Sequence, residues 1–439
     1  MARKRKRLPE GDFPAHIDSL AHDGRGVARI EGKAVFIHGA LPGEDVRFRY
    51  VKRSRRYDEG VAMAIEQAAP ERVEPRCPHA GLCGGCSLQH MDPAAQIRAK
   101  QQVLLDNLQR IGGVQPASVA PPLTGPHWGY RRKARLGVKD VRKKGKVLVG
   151  FREKGTPYVA DLSRCEVLHP AVGERIEALS RLVERLGIRS AVPQIEVAFG
   201  DDAGALVFRV LEEPTAEDQA RLRAFGEATG LHIHLQSGGP DTVTLLWPER
   251  SVLEYALPAE GLRLQFLPTD FTQINADINR AMIAQALDWL ALEGSERVLD
   301  LFCGVGNFTL PLARHAREVV GVEGEAGLVQ RARDNARRNG LGNVEFHVAN
   351  LMESVEGAPW LQGDYDRILL DPPRSGAEAM MPRLAGLDVP RIVYVSCHPG
   401  SLARDAGLLA TQGYRLERAG VMDMFPHTAH VESMALFVR

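Results

Sequence analysis

One stretch, residues 298–309, constrains the fold of this chain more than any other. It reads VLDLFCGVGNFT, an apolar run that contains Asp300 and then meets Gly304 and Gly306, two positions apart. Residues 310–317 continue as a helix-like segment. An apolar strand, a glycine turn and a helix in this order are typical of the first unit of a parallel sheet. The glycines let the backbone approach a ligand closely, so a nucleotide-like ligand is expected here.

Polar residues stand at the ends of four further apolar segments. Because the carboxyl ends of parallel strands meet at one edge of an open α/β sheet, these residues are expected to surround one ligand. The pattern predicts a doubly wound, Rossmann-like α/β domain over residues 266–439. The segments are 319–323 ending in Glu323, 344–350 ending in Asn350, 367–371 ending in Asp371, and 391–397 ending in Cys397.

The ligand expected at this edge contains adenosine. Glu323 stands where a carboxylate can accept both ribose hydroxyls, and Asn350 can read the adenine edge. A dinucleotide fingerprint would have a third glycine at position 309, where this chain has Thr309. Asn307 after the two glycines and the Asp-Pro-Pro sequence that starts at Asp371 favour S-adenosylmethionine. Arg374 replaces the aromatic residue that usually follows this sequence in amino-group methyltransferases, so methylation at carbon is favoured.

Two separated residues carry the predicted chemistry. Cys397 follows the fifth strand, and Glu432 lies in the sequence FPHTAHVE near the end of the chain. A lone strand cysteine is ordinarily structural, but this one stands at a strand end on the expected donor edge. A metal site formed by His427, His430 and Glu432 is the weaker alternative.

Methylation of uracil at C5 requires such a pair. The C5 carbon is too weak a nucleophile until a thiolate adds at C6, and a base must later remove the C5 proton. Free cysteine has a pKa of about 8.5, so the site is expected to favour the thiolate. The uridine must also be flipped out of any helix to reach both groups.

Positive charge is concentrated in two segments of a nearly neutral chain. Residues 1–60 carry 14 Lys and Arg against 9 Asp and Glu, and residues 127–154 carry 11 against 2, within a net charge of +1. In the second segment the run Arg131 to Arg135 follows Trp128 and Tyr130. Basic side chains between aromatic ones suit RNA, whose bases stack and whose phosphates pair.

The N-terminal 68 residues divide into two parts. Residues 1–10 are expected to be a disordered basic arm, and residues 11–68 contain short alternating segments punctuated by glycine. This spacing predicts a small β-barrel, OB-like in type, that binds RNA through its basic hairpin.

Residues 75–265 are expected to form one α+β domain that contains a metal site. Three cysteines lie within ten residues around a Gly-Gly pair, and in a protein with reduced thiols such density favours a metal centre. The spacing alone does not distinguish zinc from an iron–sulfur cluster. A helix over residues 94–111, capped by Asp92, is expected to be amphipathic and to pack on the catalytic domain. The proposed ligands are Cys77, Cys83, Cys86 and, as the fourth, Cys165.

Cysteine use and hydropathy predict where the protein works. Six cysteines in 439 residues are too few for a disulfide scaffold. The basic N-terminus is followed by Leu-Pro-Glu rather than by an apolar core, and no apolar run is long enough to span a membrane. The chain is therefore expected to be cytoplasmic, with no membrane partner.

The motifs together resemble the RumA/RlmD family of 23S rRNA uracil-5 methyltransferases over essentially the whole chain. The matching motifs are DLFCGVGNFTL from Asp300, DPPR from Asp371, Ser396-Cys397, and FPHTAHVE from Phe425. The resemblance implies a TRAM domain for the barrel and a [4Fe-4S] cluster for the four cysteines. It implies Cys397 as the nucleophile and Glu432 as the base. It also implies a monomeric enzyme whose S-adenosylmethionine pocket is lined by Gln273, Phe302, Asn307, Glu323, Asn350 and Asp371.

The target of the resembled family is a uridine of 23S rRNA. Uridine 1939 is expected because relatives acting on tRNA are expected to lack both barrel and cluster, and the relative acting on another 23S rRNA uridine is expected to lack the barrel; a relative that modifies two sites is expected to carry both. Two positions depart from the family pattern: Thr272 replaces an aromatic residue, and His398 replaces an asparagine. The alternatives are the same chemistry on another 23S rRNA or tRNA uridine, and a non-catalytic RNA-binding iron–sulfur protein. A cytosine-C5 methyltransferase would have Pro-Cys where this chain has Ser396-Cys397.

Overall fold

The computed structural model describes residues 8–353 and 355–439. The predicted basic arm falls largely outside the described residues. Within the described residues, no helix is both long and apolar enough to cross a membrane.

The N-terminal region is a six-stranded sheet in the order β1-β5-β6-β4-β3-β2. Val46 and Phe48 of the fifth strand are fully buried in its small core. Gly60 lies against the Phe48 ring, which a side chain at position 60 would displace. The strands are β1 Phe13–His16, β2 Ser19–Leu20, β3 Gly26–Ile30, β4 Lys33–His38, β5 Asp45–Arg53 and β6 Tyr57–Gln67.

The central region is built on a second six-stranded sheet, in the order β13-β12-β11-β10-β8-β9. Its core contains Leu136, Ile195 and Phe208, all fully buried, beneath helices α3 and α4. The elements are β8 Lys133–Val141, β9 Lys146–Gly150, α2 Pro170–Gly173, α3 Ile176–Glu184, β10 Gln194–Phe199, β11 Gly204–Arg209, α4 Ala216–Thr229, β12 His232–Gln236 and β13 Val243–Trp247.

Two features of this region differ from the sequence prediction. The apolar pattern of the sequence predicts one helix over residues 172–186, whereas the structure has two, α2 and α3. The chain breaks near Gly173, whose backbone packs against Cys165 and accepts a hydrogen bond from its N–H at 2.8 Å. A strand pair that includes an unpredicted strand, β14 Leu253–Leu257 with β15 Leu262–Phe266, forms a separate two-stranded sheet.

Helix α1, Pro93–Arg110, precedes the central sheet in sequence but packs on the catalytic domain. Asp92 caps it by accepting from the N–H groups of Ala94 and Ala95, as its sequence predicts. Its apolar face contributes Leu104 and Leu108 to the core beneath the catalytic sheet. The short strand β7, Ser118–Val119, then pairs with the edge of that sheet.

The C-terminal region has the doubly wound fold that the sequence predicts. Its sheet has eight strands in the order β18-β17-β16-β19-β20-β22-β21-β7, with β16 to β20 mutually parallel. Helices α5 to α7 cover one face, and α1, α8 and α9 cover the other. The elements are α5 Ala276–Leu290, β16 Arg297–Leu301, α6 Thr309–His315, β17 Glu318–Glu323, α7 Ala326–Arg338, β18 Val344–Val348, β19 Arg367–Leu370, α8 Met381–Gly386, β20 Arg391–Ser396, α9 Pro399–Thr411, β21 Arg415–Met422 and β22 Glu432–Val438.

Candidate active site at the carboxyl edge of the sheet

The glycine turn after β16 has the backbone conformation that its sequence requires. Gly304 and Gly306 have φ values of 56° and 94°, and Phe302 also has a positive φ of 64°. A Cβ at position 306 would lie 2.4 Å from Cδ1 of Leu310. The turn therefore needs glycine both for its dihedral angle and for its contact with helix α6.

Asp300 is buried beneath this turn. Its Oδ2 accepts a hydrogen bond of 2.5 Å from the hydroxyl of Thr309, while its Oδ1 is buried without a hydrogen-bond partner among the described residues. Burial raises the pKa of this carboxyl to about 8, and the nearby Asp371 and Glu323 add to the shift.

The predicted adenosine-binding residues lie on the neighbouring strands. Glu323 ends β17 and accepts hydrogen bonds from the N–H groups of Gly304 at 3.2 Å and Gly324 at 2.6 Å. These bonds fix the carboxylate beside the glycine turn. Asn350, after β18, is exposed, and its side-chain N–H donates to Glu353 Oε1 at 2.8 Å.

Gln273 and Asp371 face each other across the pocket, with the Gln273 amide 3.5 Å from Asp371 Oδ2. Burial raises the pKa of Asp371 to about 7. Together with Asp300 and Glu323, Asp371 makes this edge rich in carboxyl groups, which suits a cationic ligand.

Asn307 has a different environment from the one predicted. Its side chain exchanges two hydrogen bonds with Asn279, at 2.9 and 3.0 Å, and accepts a third from the Tyr255 hydroxyl at 2.9 Å. The amide thus ties the glycine turn to helix α5 and strand β14.

Cys397 and Glu432 lie across from each other at the ends of two adjacent strands. Strands β20 and β22 are antiparallel, with Ser396 opposite Ser433, so the next pair in this register is Cys397 with Glu432. Burial raises the pKa of the Cys397 thiol to about 11, and Glu432 and Asp371 raise it further. Burial also raises the pKa of Glu432 to about 8, with Asp371 adding to the shift and Lys100 opposing it. A carboxyl with this pKa can gain or lose a proton near neutrality.

A cavity of about 580 Å³ opens over Cys397. Its wall includes Arg374 and His398 from the catalytic domain, and His22 and Asp23 from the N-terminal sheet. His398 caps helix α9: its Nδ1 accepts the Ser401 N–H at 3.1 Å, which places the ring proton on Nε2. The substrate cavity is thus assembled from widely separated parts of the chain.

The loop 425–432, which ends in Glu432, is held by residues from the first third of the chain. His427 O accepts the N–H groups of both Ser87 and Leu88 at 2.9 Å, and Gln96 bonds both the backbone and the ring of His427. The hydroxyl of Tyr130 donates to Pro426 O at 3.0 Å. His427 also stacks on Trp128, with ring centroids 4.0 Å apart.

The four predicted cysteine ligands line one cavity beside this loop. Backbone or side-chain donors point at three of their sulfurs: the N–H of Gly85 lies 3.4 Å from Cys83 Sγ, Gln89 donates to Cys86, and the N–H groups of Val167 and Leu168 donate to Cys165. Burial raises the pKa of Cys86 to about 12 and that of Cys165 to about 11. The four predicted ligands that line the cavity are Cys77, Cys83, Cys86 and Cys165.

Among the described residues, no group of three or more His, Cys, Asp or Glu side chains is placed to hold a single metal ion. This holds for the four cysteines and for His427, His430 and Glu432 alike.

Several residues at the site were not identified from the sequence. Tyr255 and Asn279 hold Asn307, and Lys100 with Asp423 lies beneath the loop of Glu432. The sequence contains one indication of Lys100, because this charged residue interrupts the apolar face of α1 between Ile97 and Leu104. The others are ordinary polar residues whose roles depend on long-range contacts.

Two family descriptions match this chain. The description tRNA (Uracil-5-)-methyltransferase matches residues 203–439, and the TRAM domain matches residues 13–60. The TRAM match confirms the domain expected at the N-terminus.

Curated relatives match over the full length. A protein named 23S rRNA (uracil(1939)-C(5))-methyltransferase RlmD from Alkalilimnicola ehrlichii is 57% identical over 100% of this chain and 99% of its own. The protein of the same name from Methylococcus capsulatus is 54% identical over 99% of each chain.

A solved structure also matches nearly the whole chain. The Pyrococcus abyssi tRNA (uracil-54, C5)-methyltransferase in complex with S-adenosyl-L-homocysteine superposes with a TM-score of 0.74 at 25% identity, over 97% of this chain and 99% of its own. The expectation that tRNA-modifying relatives lack the N-terminal barrel is therefore wrong, and full-length architecture does not separate the two substrates.

Proposed function

Because this chain belongs to the family of RNA uracil-5 methyltransferases, we propose that it methylates C5 of uridine 1939 in 23S rRNA. The full-length relatives that carry this activity in their names support the rRNA target over a tRNA target. The proposed catalytic residues are Cys397 as nucleophile and Glu432 as general base.

The observation that carries this assignment is the strand register at the end of the sheet. Ser396 pairs with Ser433, so the register puts Cys397 opposite Glu432, and Cys397 lines an open cavity. Asp371 lies close enough to raise the pKa of both side chains. A nucleophile and a base on the two sides of one pyrimidine ring satisfy the geometry that uracil methylation needs.

The residues act in a fixed order. The Cys397 thiolate adds to C6 of the flipped uracil and makes C5 nucleophilic. S-adenosylmethionine supplies the methyl group that C5 takes up. The Glu432 carboxylate then removes the C5 proton, and the electrons of that C–H bond restore the ring double bond as the Cys397 sulfur leaves. Since the pKa of the Cys397 thiol is raised, thiolate formation depends on a cation at the donor site.

The donor pocket is proposed to comprise Gln273, Phe302, Asn307, Glu323, Asn350 and Asp371. Its acidic lining complements a sulfonium and an ammonium group. Asn307, whose side-chain oxygen already accepts two hydrogen bonds, is proposed to act through the backbone position of the turn.

The four cysteines are proposed to hold a [4Fe-4S] cluster. Donors aimed at three of the sulfurs would stabilise the thiolates that such a cluster requires, and they oppose the effect of burial on the pKa of these thiols. The proposed role of the cluster is structural.

The proposed RNA surface joins the TRAM domain to the active-site cavity, since His22 and Asp23 line that cavity. The basic segment 127–154 extends this surface. The enzyme is proposed to act as a monomer in the cytoplasm, where its rRNA substrate is made, with no membrane partner.

A tritium-release assay tests the proposal. rRNA with tritium at uracil C5 should lose it to water during methylation, with 5-methyluridine mapped at position 1939. Glu432→Gln should trap an RNA–protein adduct and slow release by about 10² to 10⁴, whereas Glu417→Gln on neighbouring β21 should behave like the parent. Retained tritium in a methylating enzyme would rule out the mechanism, and methylation of tRNA alone would overturn the target.

A further inference from the structure

We propose that Lys100, on helix α1, is a positioning residue for Glu432 and sets the rate of C5 proton removal. This inference rests on the proposed function and adds a residue that lies 323 positions from its ion-pair partner in sequence. The lysine does not touch the substrate cavity; it acts on the base from beneath.

The contacts of Lys100 are specific and buried. Its Nζ donates to Asp423 Oδ1 at 2.7 Å and to Phe425 O at 2.9 Å. The side chains of Lys100 and Asp423 are only 3% and 1% exposed. A buried pair of this kind costs desolvation energy, and removal of one partner leaves a charge without compensation. Its presence at an active site therefore needs a reason beyond stability.

The backbone places Glu432 directly beside this pair. Met422, which precedes Asp423, is the register partner of Glu432 between β21 and β22. Phe425 begins the loop that leads to Glu432. Lys100 thus fixes the segment 422–425, and the strand pairing of Met422 with Glu432 passes this constraint to the base.

The charges around Glu432 give Lys100 an electrostatic role as well. Asp371 from the end of β19 raises the pKa of Glu432, and the Lys100 ammonium lowers it. Glu432 and Asp371 raise the pKa of the Cys397 thiol, whereas Arg374 lowers it. Lys100 itself is stabilised in its charged form by Asp423 and Glu432 against the effect of burial. Among these groups Lys100 is the cation that favours the carboxylate form of the base.

The order of the reaction makes this role separable from folding. Glu432 acts only after the Cys397 adduct has formed and C5 has taken up the methyl group. A misplaced or protonated base therefore slows adduct breakdown and leaves adduct formation intact. General damage to the fold would slow both steps together.

The test follows methyl transfer and tritium release in the same single-turnover reaction of the full-length holoenzyme. Lys100→Met is compared with Arg98→Met, which removes an exposed cation two positions away on the same helix. We expect Lys100→Met to slow tritium release about tenfold while methyl transfer changes less than twofold. The methylated RNA–protein adduct should rise about fivefold or more on a denaturing gel, and its breakdown should require higher pH. Arg98→Met should match the parent in both rates.

The double variant Lys100→Met with Asp423→Asn covers the case in which the single variant does not fold, since it removes both charges together. It should show the same excess of adduct. Parallel loss of both rates, or no change in either, would overturn the role of Lys100. Glu432→Gln serves as the reference: if it traps adduct and the Lys100 variants do not, only this inference fails; if it traps none, the proposed base fails first.

Discussion

The two halves of the proposed active site are built in different ways. The donor half comes from one stretch of sheet, with Asp300, Glu323 and Asp371 at or near the ends of three adjacent parallel strands. The acceptor half contains Cys397 and Glu432 from the sheet, the contacts from residues 87–130 that hold the loop 425–432 (the loop clamp), and His22 from the TRAM domain. The donor half is therefore local in sequence, whereas the acceptor half depends on contacts between separate regions.

This contrast has a chemical reason. The donor is a small molecule that any enzyme of this fold can bind at one sheet edge. The acceptor is a base within a large RNA, which must be drawn from its context and held against two groups at once. The regions that recognise RNA also shape the catalytic loop, so recognition and catalysis can be coupled.

The largest expected effect is a loss of methylation that leaves the donor half unchanged. Cys397→Ala should abolish 5-methyluridine formation, a loss of at least about 10³-fold, because no other group can activate C5. Its affinity for S-adenosylmethionine, measured by calorimetry, should stay within about twofold of the parent, on the general expectation that residues without a shared partner act independently. Loss of cofactor binding in this variant would contradict the claim that the two halves act independently.

The next effect lies in the donor half. Gly306→Ala forces a side chain to a φ of 94° and into Leu310. Strain of this kind costs about 1–3 kcal/mol, so cofactor affinity should fall about 5- to 150-fold. Gly261→Ala, at a φ of 63° in an open turn, is the matched control and should leave cofactor affinity unchanged. Equal weakening in both variants would mean that general destabilisation, not the turn, is responsible.

The pH dependence should sharpen the contrast further. The pKa of Glu432 is raised to about 8, so below that pH the base is protonated and inactive. At saturating cofactor, single-turnover tritium release should rise about tenfold per pH unit up to pH 8 and then level off. Saturation is needed because the pKa of Asp371 in the donor half is also raised, to about 7. A flat profile from pH 6 to 8 would contradict the role of Glu432.

The smallest expected effect tests the loop clamp. Ser87→Ala removes the hydroxyl that accepts the Ala429 N–H at 3.0 Å. One such bond contributes about 1 kcal/mol, so kcat should fall about fivefold with cofactor affinity unchanged. Thr411→Ala, which removes an exposed hydroxyl at the end of α9, provides the comparison. A change in cofactor affinity instead of kcat would show that the loop clamp acts on the donor half, and it would contradict the comparison.

Much of the donor half could be predicted from the sequence. Polar residues at strand ends, within the 72 residues from Asp300 to Asp371, predicted both the sheet and its ligand edge. Parallel strands align their carboxyl ends whatever the loops between them do. Gln273, which only the family resemblance named, lies beside Asp371. The contact of Asn307 with Tyr255 was not predicted, because it depends on strand β14, which the sequence pattern missed.

For the acceptor half, the sequence identified candidate residues, but only the tertiary structure brought them together. Motif resemblance pointed to Cys397, Glu432 and the four cysteines, but the antiparallel register brought the first two together. The buried contact from Lys100 to Asp423 spans 323 residues, and local pattern carries no information at that separation. Apolar periodicity predicted that α1 buries one face; only the packed molecule decided that a lysine on that face would meet the loop of the catalytic base.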